Sequence, residues 1–160
     1  MFETMNPANE KILQRYALQS EAEVDACIDE SACAAEAWAV SDWAVREQCM
    51  QRLAVELTTH RASLASQITV EMGKPHTQAL AEVDKCIACC QFLAQHVQTW
   101  LQPTEIQLND PTKAIQCFEP VGVIFAIMPW NFPLWQIMRC LVPTLLVGNA
   151  LLLSPAACTQ

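Results

Sequence analysis

The chain has 160 residues, 52% of them hydrophobic, with a net charge of −8 and nine cysteines. That length holds one domain with a real core, and that apolar content excludes disorder. An acidic balance without a basic run argues against nucleic acid as a partner, and an odd cysteine count in a chain of this size argues against a disulfide scaffold.

Residues 20 to 101 read as helices. Ser20 with Glu23 three residues later forms a capping box, and Glu21 adds negative charge where the helix dipole favours it. Asp42 is the expected N-cap of a second helix with Met50, Leu53 and Leu57 on one face. Met72-Gly-Lys-Pro75 ends the helical run, because Gly73 suits a left-handed C-cap and Pro75 blocks continuation. Thr77 is the expected cap of a third segment, where Val83, Ile87, Cys90, Leu93 and Val97 recur at helical spacing.

Past Pro103 the pattern turns to strands. Glu105 to Asn109 and Ala114 to Phe118 alternate around a turn at Asp110-Pro-Thr-Lys113, which predicts a hairpin. Val121 to Met128 is a continuous apolar run and predicts a strand buried on both faces. Pro133 suits the first turn of a helix that runs towards Val147, with a kink at Pro143 and a stop at Gly148. Ala150 to Leu153 is a second buried strand. Strand, helix and strand in this span make a βαβ unit, the seed of a parallel sheet. The fold class is therefore α/β: N-terminal helices, a β-hairpin, and the first βαβ unit of a Rossmann-like sheet.

After Glu119 the chain has a single formal charge, Arg139, and all 17 acids lie at or before Glu119. So apolar a stretch needs covering by further protein or lipid. Leu134 to Leu153 is long enough to span a bilayer, but Arg139, Pro143, Gly148 and Asn149 interrupt it, and the βαβ unit explains those interruptions where a spanning helix does not. No membrane partner is expected.

Within that segment Asn131 falls between the end of a strand and the start of a helix, where open α/β sheets bind ligands. On spacing its amide suits the cap of the helix first, and it also suits donation to an oxygen that gains charge during attack on a carbonyl. Arg139 lies eight residues on, about two helical turns, and needs a partner if buried: either an acid of the N-terminal helices or a carboxylate-bearing substrate. Cys86-Ile-Ala-Cys-Cys90 has a ligand-like spacing, but with no second pair and on a predicted helix these thiols read as small apolar core groups, so no metal is expected. His60, His76 and His96 lack a nucleophile partner at recognisable spacing and read as surface or helix-end residues. The opening Met1 to Asn6 carries neither a basic nor an apolar leader region, so a cytoplasmic location is expected.

Four motifs, Asn6-Pro-Ala-Asn-Glu10, Glu71-Met-Gly-Lys-Pro75, Glu119-Pro-Val-Gly122 and Pro129-Trp-Asn-Phe-Pro133, fall in the order and at the spacing of one family. Residues 6 to 160 resemble the amino-terminal third of an NAD(P)-dependent aldehyde dehydrogenase, and the string Ile127 to Gln136 looks most like the bacterial succinate-semialdehyde enzymes. The resemblance implies residues 1–103 as the helical part of a cofactor-binding domain, 104–119 as an oligomerisation hairpin, and 120–160 as the start of the NAD(P)-binding sheet, with no catalytic domain present. It implies NAD or NADP as cofactor, succinate semialdehyde as substrate, and a homo-oligomer. It makes Asn131 the oxyanion-stabilising amide, places Met128, Pro129, Trp130, Asn131, Ser154 and Ala157 at the cofactor, and gives Arg139 the substrate carboxylate. After the second strand the family has a lysine and a glutamate that hydrogen-bond the ribose; here Ser154 and Ala157 stand in their places, which implies weaker cofactor binding. The family's nucleophilic cysteine and base glutamate fall downstream of Gln160, so the chain reads as a partial enzyme without turnover of its own. The alternative is a non-catalytic partner whose hairpin edge adds to a full-length subunit.

Overall fold

A computed structural model describes residues 1–108 and 112–160. An antiparallel hairpin opens the chain: β1 (Phe2–Met5) pairs with β2 (Ile12–Tyr16), Phe2 opposite Tyr16. The turn between them is built on asparagines. Asn6 Oδ1 accepts from the Ala8 N–H at 2.9 Å, and Asn9 Oδ1 accepts from the Lys11 N–H at 3.0 Å. The sequence analysis assigned no strands here, because turn chemistry rather than alternation marks the hairpin.

Four helices follow: α1 (Glu21–Ala39), α2 (Trp43–Thr59), α3 (Arg61–Met72) and α4 (His76–Trp100). The Ser20 capping box is present: Ser20 N–H donates to Glu23 Oε2 at 2.7 Å, and Glu23 N–H donates to Ser20 Oγ at 3.3 Å. Those bonds from Ser20, its backbone N–H first, hold the Glu23 carboxyl below its ordinary range. Asp42 occupies the N-cap of α2, but only its carbonyl is used, accepting from Val45 and Arg46. Gly73 adopts φ 74°, the left-handed C-cap that the sequence predicts. Thr77 is not a cap. α4 starts at His76, with Pro75, two residues before Thr77, in the N-cap position.

The predicted second hairpin is shorter than expected. β3 (Thr104–Ile106) pairs with β4 (Ala114–Gln116), Glu105 opposite Ile115. Residues 109–111, which include the first two of the four expected turn residues, lie outside the described residues. β5 (Val123–Ile127), α5 (Pro133–Leu146) and β6 (Ala150–Ser154) then form the predicted crossover, with β5 parallel to β6 and Phe125 opposite Leu152. β5 is not buried on both faces. Ala126 is buried, while Phe125 and Ile127 are 60% and 74% exposed. Val123, Phe125 and Ile127 alternate onto one face of β5, and that face is the open one among the described residues, where β6 is its one strand neighbour.

The main core joins three helices. Met50, Ala54 and Leu57 of α2 pack with Cys86, Cys90, Ala94 and Val97 of α4 and with Met138, Val142 and Leu146 of α5. Burying the methionine, leucine and valine side chains among them contributes about 1.5–3 kcal/mol each. α5 has no acid in its first turn and no base in its last. Its polar ends are met by other elements instead. At the C-terminal end Arg46 Nη1 donates to Leu146 O at 3.2 Å, a carbonyl of the last turn, and Trp38 Nε1 donates to Leu145 O at 2.7 Å, which also accepts from the Gly148 N–H. Gly148 follows at φ 95°, and a Cβ there would lie 2.7 Å from Arg46 Nη1. The buried Asn149 then ties the two strand starts together, its Oδ1 accepting from the N–H groups of Val121 and Gly122. No helix among the described residues is long and apolar enough to cross a membrane.

Candidate functional site

The turn 128–132 joins the carboxyl end of β5 to the N-terminus of α5. Met128 N–H donates to Ser154 O at 3.0 Å, which brings the ends of both parallel strands to one edge. Phe132 takes the N-cap position of α5, at φ −140° and ψ 75°, and no side chain of its own segment caps the helix. Asn131 therefore does not serve as the cap, the simpler of its two expected roles. It is exposed, as are its neighbours Trp130 and Phe132.

A group from α4 does what a local cap would do. Glu82 Oε1 accepts from the N–H of Leu134 and of Trp135, each at 3.0 Å. These are first-turn donors with no partner inside the helix, and a carboxylate there also meets the positive end of the dipole. The other oxygen, Oε2, pairs with Lys74 Nζ. Side-chain exposure is 6% for Lys74 and 1% for Glu82, so water does not compete for either charge. Lys74 also donates to the carbonyl of Asn131 at 3.1 Å and stands 3.8 Å from the centre of the Phe132 ring. The Gly73 turn aims Lys74 inward; two motifs more than fifty residues apart, Glu71–Pro75 and Pro129–Pro133, thus meet in one contact. Lys85 Nζ lies 4.0 Å from the Trp135 ring centre and steadies the same turn of helix from outside.

Arg139 is placed differently from expectation. It is exposed on α5, and the ion pairs of the described residues do not include it. No acid of the N-terminal helices takes it, because α5 turns Met138 and Val142 to those helices and Arg139 away from them. Ser154 is half-buried and Ala157 exposed, at and just past the end of β6. At that edge they offer one hydroxyl and one methyl, with neither a cation nor a carboxylate. An apolar cavity lined by Leu64, Ile68, Leu134, Ile137, Leu153 and Pro155 opens between α3 and α5, on neither Asn131 nor Arg139.

All nine cysteines are free thiols. Burial pushes Cys86 and Cys90 up to about 12. They are core groups, as expected, and no group of three metal-ligating side chains exists among the described residues. At about pH 8 a thiol-alkylating reagent should modify the exposed Cys33, Cys117 and Cys158 and spare Cys86 and Cys90 until the chain is unfolded, as read by peptide mass spectrometry. Because the folded state keeps these two protons longer than the unfolded state, stability should fall as pH rises from the ordinary 9.0 towards about 12.

The sequence profile of the aldehyde dehydrogenase family matches residues 1–160. The chain belongs to the aldehyde dehydrogenase family. It is 36% identical over 154 residues to a Synechocystis protein named probable succinate-semialdehyde dehydrogenase (NADP+), covering 96% of this chain and 34% of that one. It is 35% identical over 153 residues to the Escherichia coli K12 succinate semialdehyde dehydrogenase (NAD(P)+), covering 96% and 33%. The structure of a Streptococcus pyogenes succinic semialdehyde dehydrogenase, determined with NADP+, superposes with a TM-score of 0.95 at 27% identity, over 99% of this chain and 35% of that one. The chain thus spans about a third of the length of these relatives.

In this aldehyde dehydrogenase chain the structure brings Met128 to Asn131 and Ser154 to one edge, and sets Arg139 two helical turns along α5. Sequence reasoning missed Lys74 and Glu82 as parts of that edge. One signal was available. Ala79, Glu82, Val83, Cys86 and Cys90 share one buried stripe of α4, and an acid on an apolar stripe requires a partner.

Proposed function

We propose that residues 1–160 supply the oxyanion-binding and nucleotide-binding edge of an enzyme that oxidises succinate semialdehyde to the acid with NAD(P)+. The observation that carries this is the exposed Asn131, uninvolved in helix capping, on a turn braced at the switch from β5 to α5. An amide donor there meets negative charge as it forms on an attacked carbonyl. Arg139, charged and without an ion-pair partner among the described residues, suits the distal carboxylate of a semialdehyde acid. The bound nicotinamide would accept hydride. Met128, Pro129 and Trp130, on the nicotinamide side in this reading, stand at the strand edge, and Ser154, on the side of the adenosine ribose, contributes a hydroxyl. On this reading residues 1–103 and 120–160 belong to the cofactor-binding part, and 104–119 to an oligomerisation hairpin.

By the family resemblance the attacking thiolate and the base come from sequence other than these residues. The purified chain should then show no NAD(P)+-dependent oxidation of succinate semialdehyde. A chimera in which residues 1–160 replace the corresponding third of the Synechocystis relative should show it, followed by the absorbance of reduced nicotinamide. A folded chimera with no activity towards any aldehyde sinks the reading. In the active chimera Arg139→Leu should raise KM for succinate semialdehyde about 10- to 100-fold, the worth of a charge-assisted hydrogen bond, and leave KM for a neutral aldehyde nearly unchanged. Equal effects on both substrates would remove Arg139 from the carboxylate.

A second reading has its own support. The β3–β4 hairpin exposes Ile115 and Phe118 at 64% and 55%, and β5 exposes Phe125 and Ile127. Such surfaces suit a non-catalytic role in which this chain docks on a full-length dehydrogenase subunit. Co-elution with an intact dehydrogenase on size-exclusion chromatography, without added turnover, would favour it.

A further inference from the structure

We propose that Lys74 and Glu82 are positioning residues: a directional clamp that holds the turn bearing Asn131 at its working geometry. An ion pair and a clamp differ in what they require of each residue. An ion pair that serves stability alone needs two opposite charges at close range, and either residue can carry either sign. This pair does more. Both of its ends are committed to backbone groups of the same turn, on opposite sides of Phe132.

Glu82 Oε1 takes the N–H groups of Leu134 and Trp135, so only an acceptor serves at that position. Lys74 Nζ donates a hydrogen bond to the Asn131 carbonyl, so only a donor serves there. The peptide just ahead of the helix and the first turn of the helix are therefore fixed to one rigid pair, itself anchored on α4 and on the Gly73 cap. Asn131 has no capping bond of its own to hold its backbone. Its carbonyl is gripped by Lys74, and that grip fixes the plane from which the Asn131 side chain projects. Lys74 and Glu82 touch neither a substrate nor a reacting atom; they act through Asn131. An oxyanion donor stabilises charge only where it already points, and a displacement of about 1 Å can cost on the order of 100-fold in rate.

The kinetic consequence rests on the dehydrogenase reading above; the structural consequence does not. The deciding variant is the double swap Lys74→Glu with Glu82→Lys. It keeps one buried pair of opposite charges, so a purely stabilising bridge survives it. It also turns an ammonium on the N–H groups of α5 and a carboxylate on the Asn131 carbonyl, so a directional clamp does not. In the 160-residue chain, hydrogen exchange of the Leu134 and Trp135 amides should accelerate at least about tenfold, with protection across α2 and the middle of α4 retained. In the chimera, kcat for aldehyde oxidation should fall about 10- to 100-fold with KM within about twofold.

If the swapped chain loses protection everywhere, Glu82→Gln decides. Glutamine keeps an acceptor oxygen for Leu134 and Trp135 and lacks the charge that orders Lys74, so both readouts should fall between wild type and Glu82→Leu. Unchanged protection at Leu134 and Trp135 in either variant, with α2 and α4 intact, overturns the proposal. So does an unchanged kcat in a folded, active chimera. A wild-type chimera without aldehyde oxidation sinks the functional reading instead, and hydrogen exchange then decides the clamp by itself.

Discussion

Replacing Glu82 by leucine is expected to destabilise the folded chain by about 3–5 kcal/mol, the cost of breaking a buried ion pair from one side. Three losses combine. Lys74, at 6% side-chain exposure, loses the carboxylate that offsets its desolvation. The N–H groups of Leu134 and Trp135 lose their acceptor; an unsatisfied buried donor costs about 1–3 kcal/mol, and partial access of water at these half-buried residues lowers that share. The positive end of the α5 dipole loses its counter-charge, about 0.3–1 kcal/mol. Against them stands the burial of a leucine side chain, at most about 1.5–3 kcal/mol. That gain is small in practice, because the pocket is shaped by polar atoms and the leucine must point its methyls at Lys74 Nζ. Urea unfolding followed by tryptophan fluorescence gives the number directly. A loss below about 1 kcal/mol would show that the pair is solvated in solution. Adding Lys74→Met to Glu82→Leu should recover part of the loss, since the orphaned cation goes, and not all of it, since the two helix N–H groups remain unmet.

That network also marks where sequence reading stopped. The helices of residues 20–101, the crossover from β5 to β6 and the position of Pro133 at the first turn of α5 were legible, because capping chemistry, periodicity and proline geometry are local. Asn131 and Arg139 were legible as polar groups in an apolar segment. What joins them to the rest was not. Glu82 reaches a helix 52 residues away, and Arg46 closes the other end of that helix from 100 residues away. Both depend on how α2, α4 and α5 pack, and no window of sequence contains that packing. The exposure of Arg139 and of alternate β5 residues failed for a related reason. An apolar strand and a lone arginine in an apolar segment both suggest burial, yet what covers a surface is a property of the neighbours. The N-terminal hairpin was missed because its strands are short and largely exposed, with only Thr4 buried in either.

Asn131→Ala should lower kcat of the chimera for succinate semialdehyde by about 100- to 1000-fold, as loss of one oxyanion donor does, with KM little changed. The reason for the split is that the amide acts on charge that exists in the transition state and scarcely in the bound aldehyde. Stability provides the control. If Asn131 capped α5, its removal would cost about 1 kcal/mol. Phe132 holds the N-cap and Glu82 takes the first-turn N–H groups, so the exposed Asn131 side chain can go with a change within about 0.5 kcal/mol. The same variant in the 160-residue chain should therefore unfold at nearly the wild-type urea midpoint. Asn131→Asp sharpens the test, because it keeps the size and replaces the donor with an acceptor that repels a forming oxyanion. It should be at least as slow as alanine. A kcat for Asn131→Asp close to wild type would mean that the negative charge forms somewhere this turn does not face, whatever holds the turn in place.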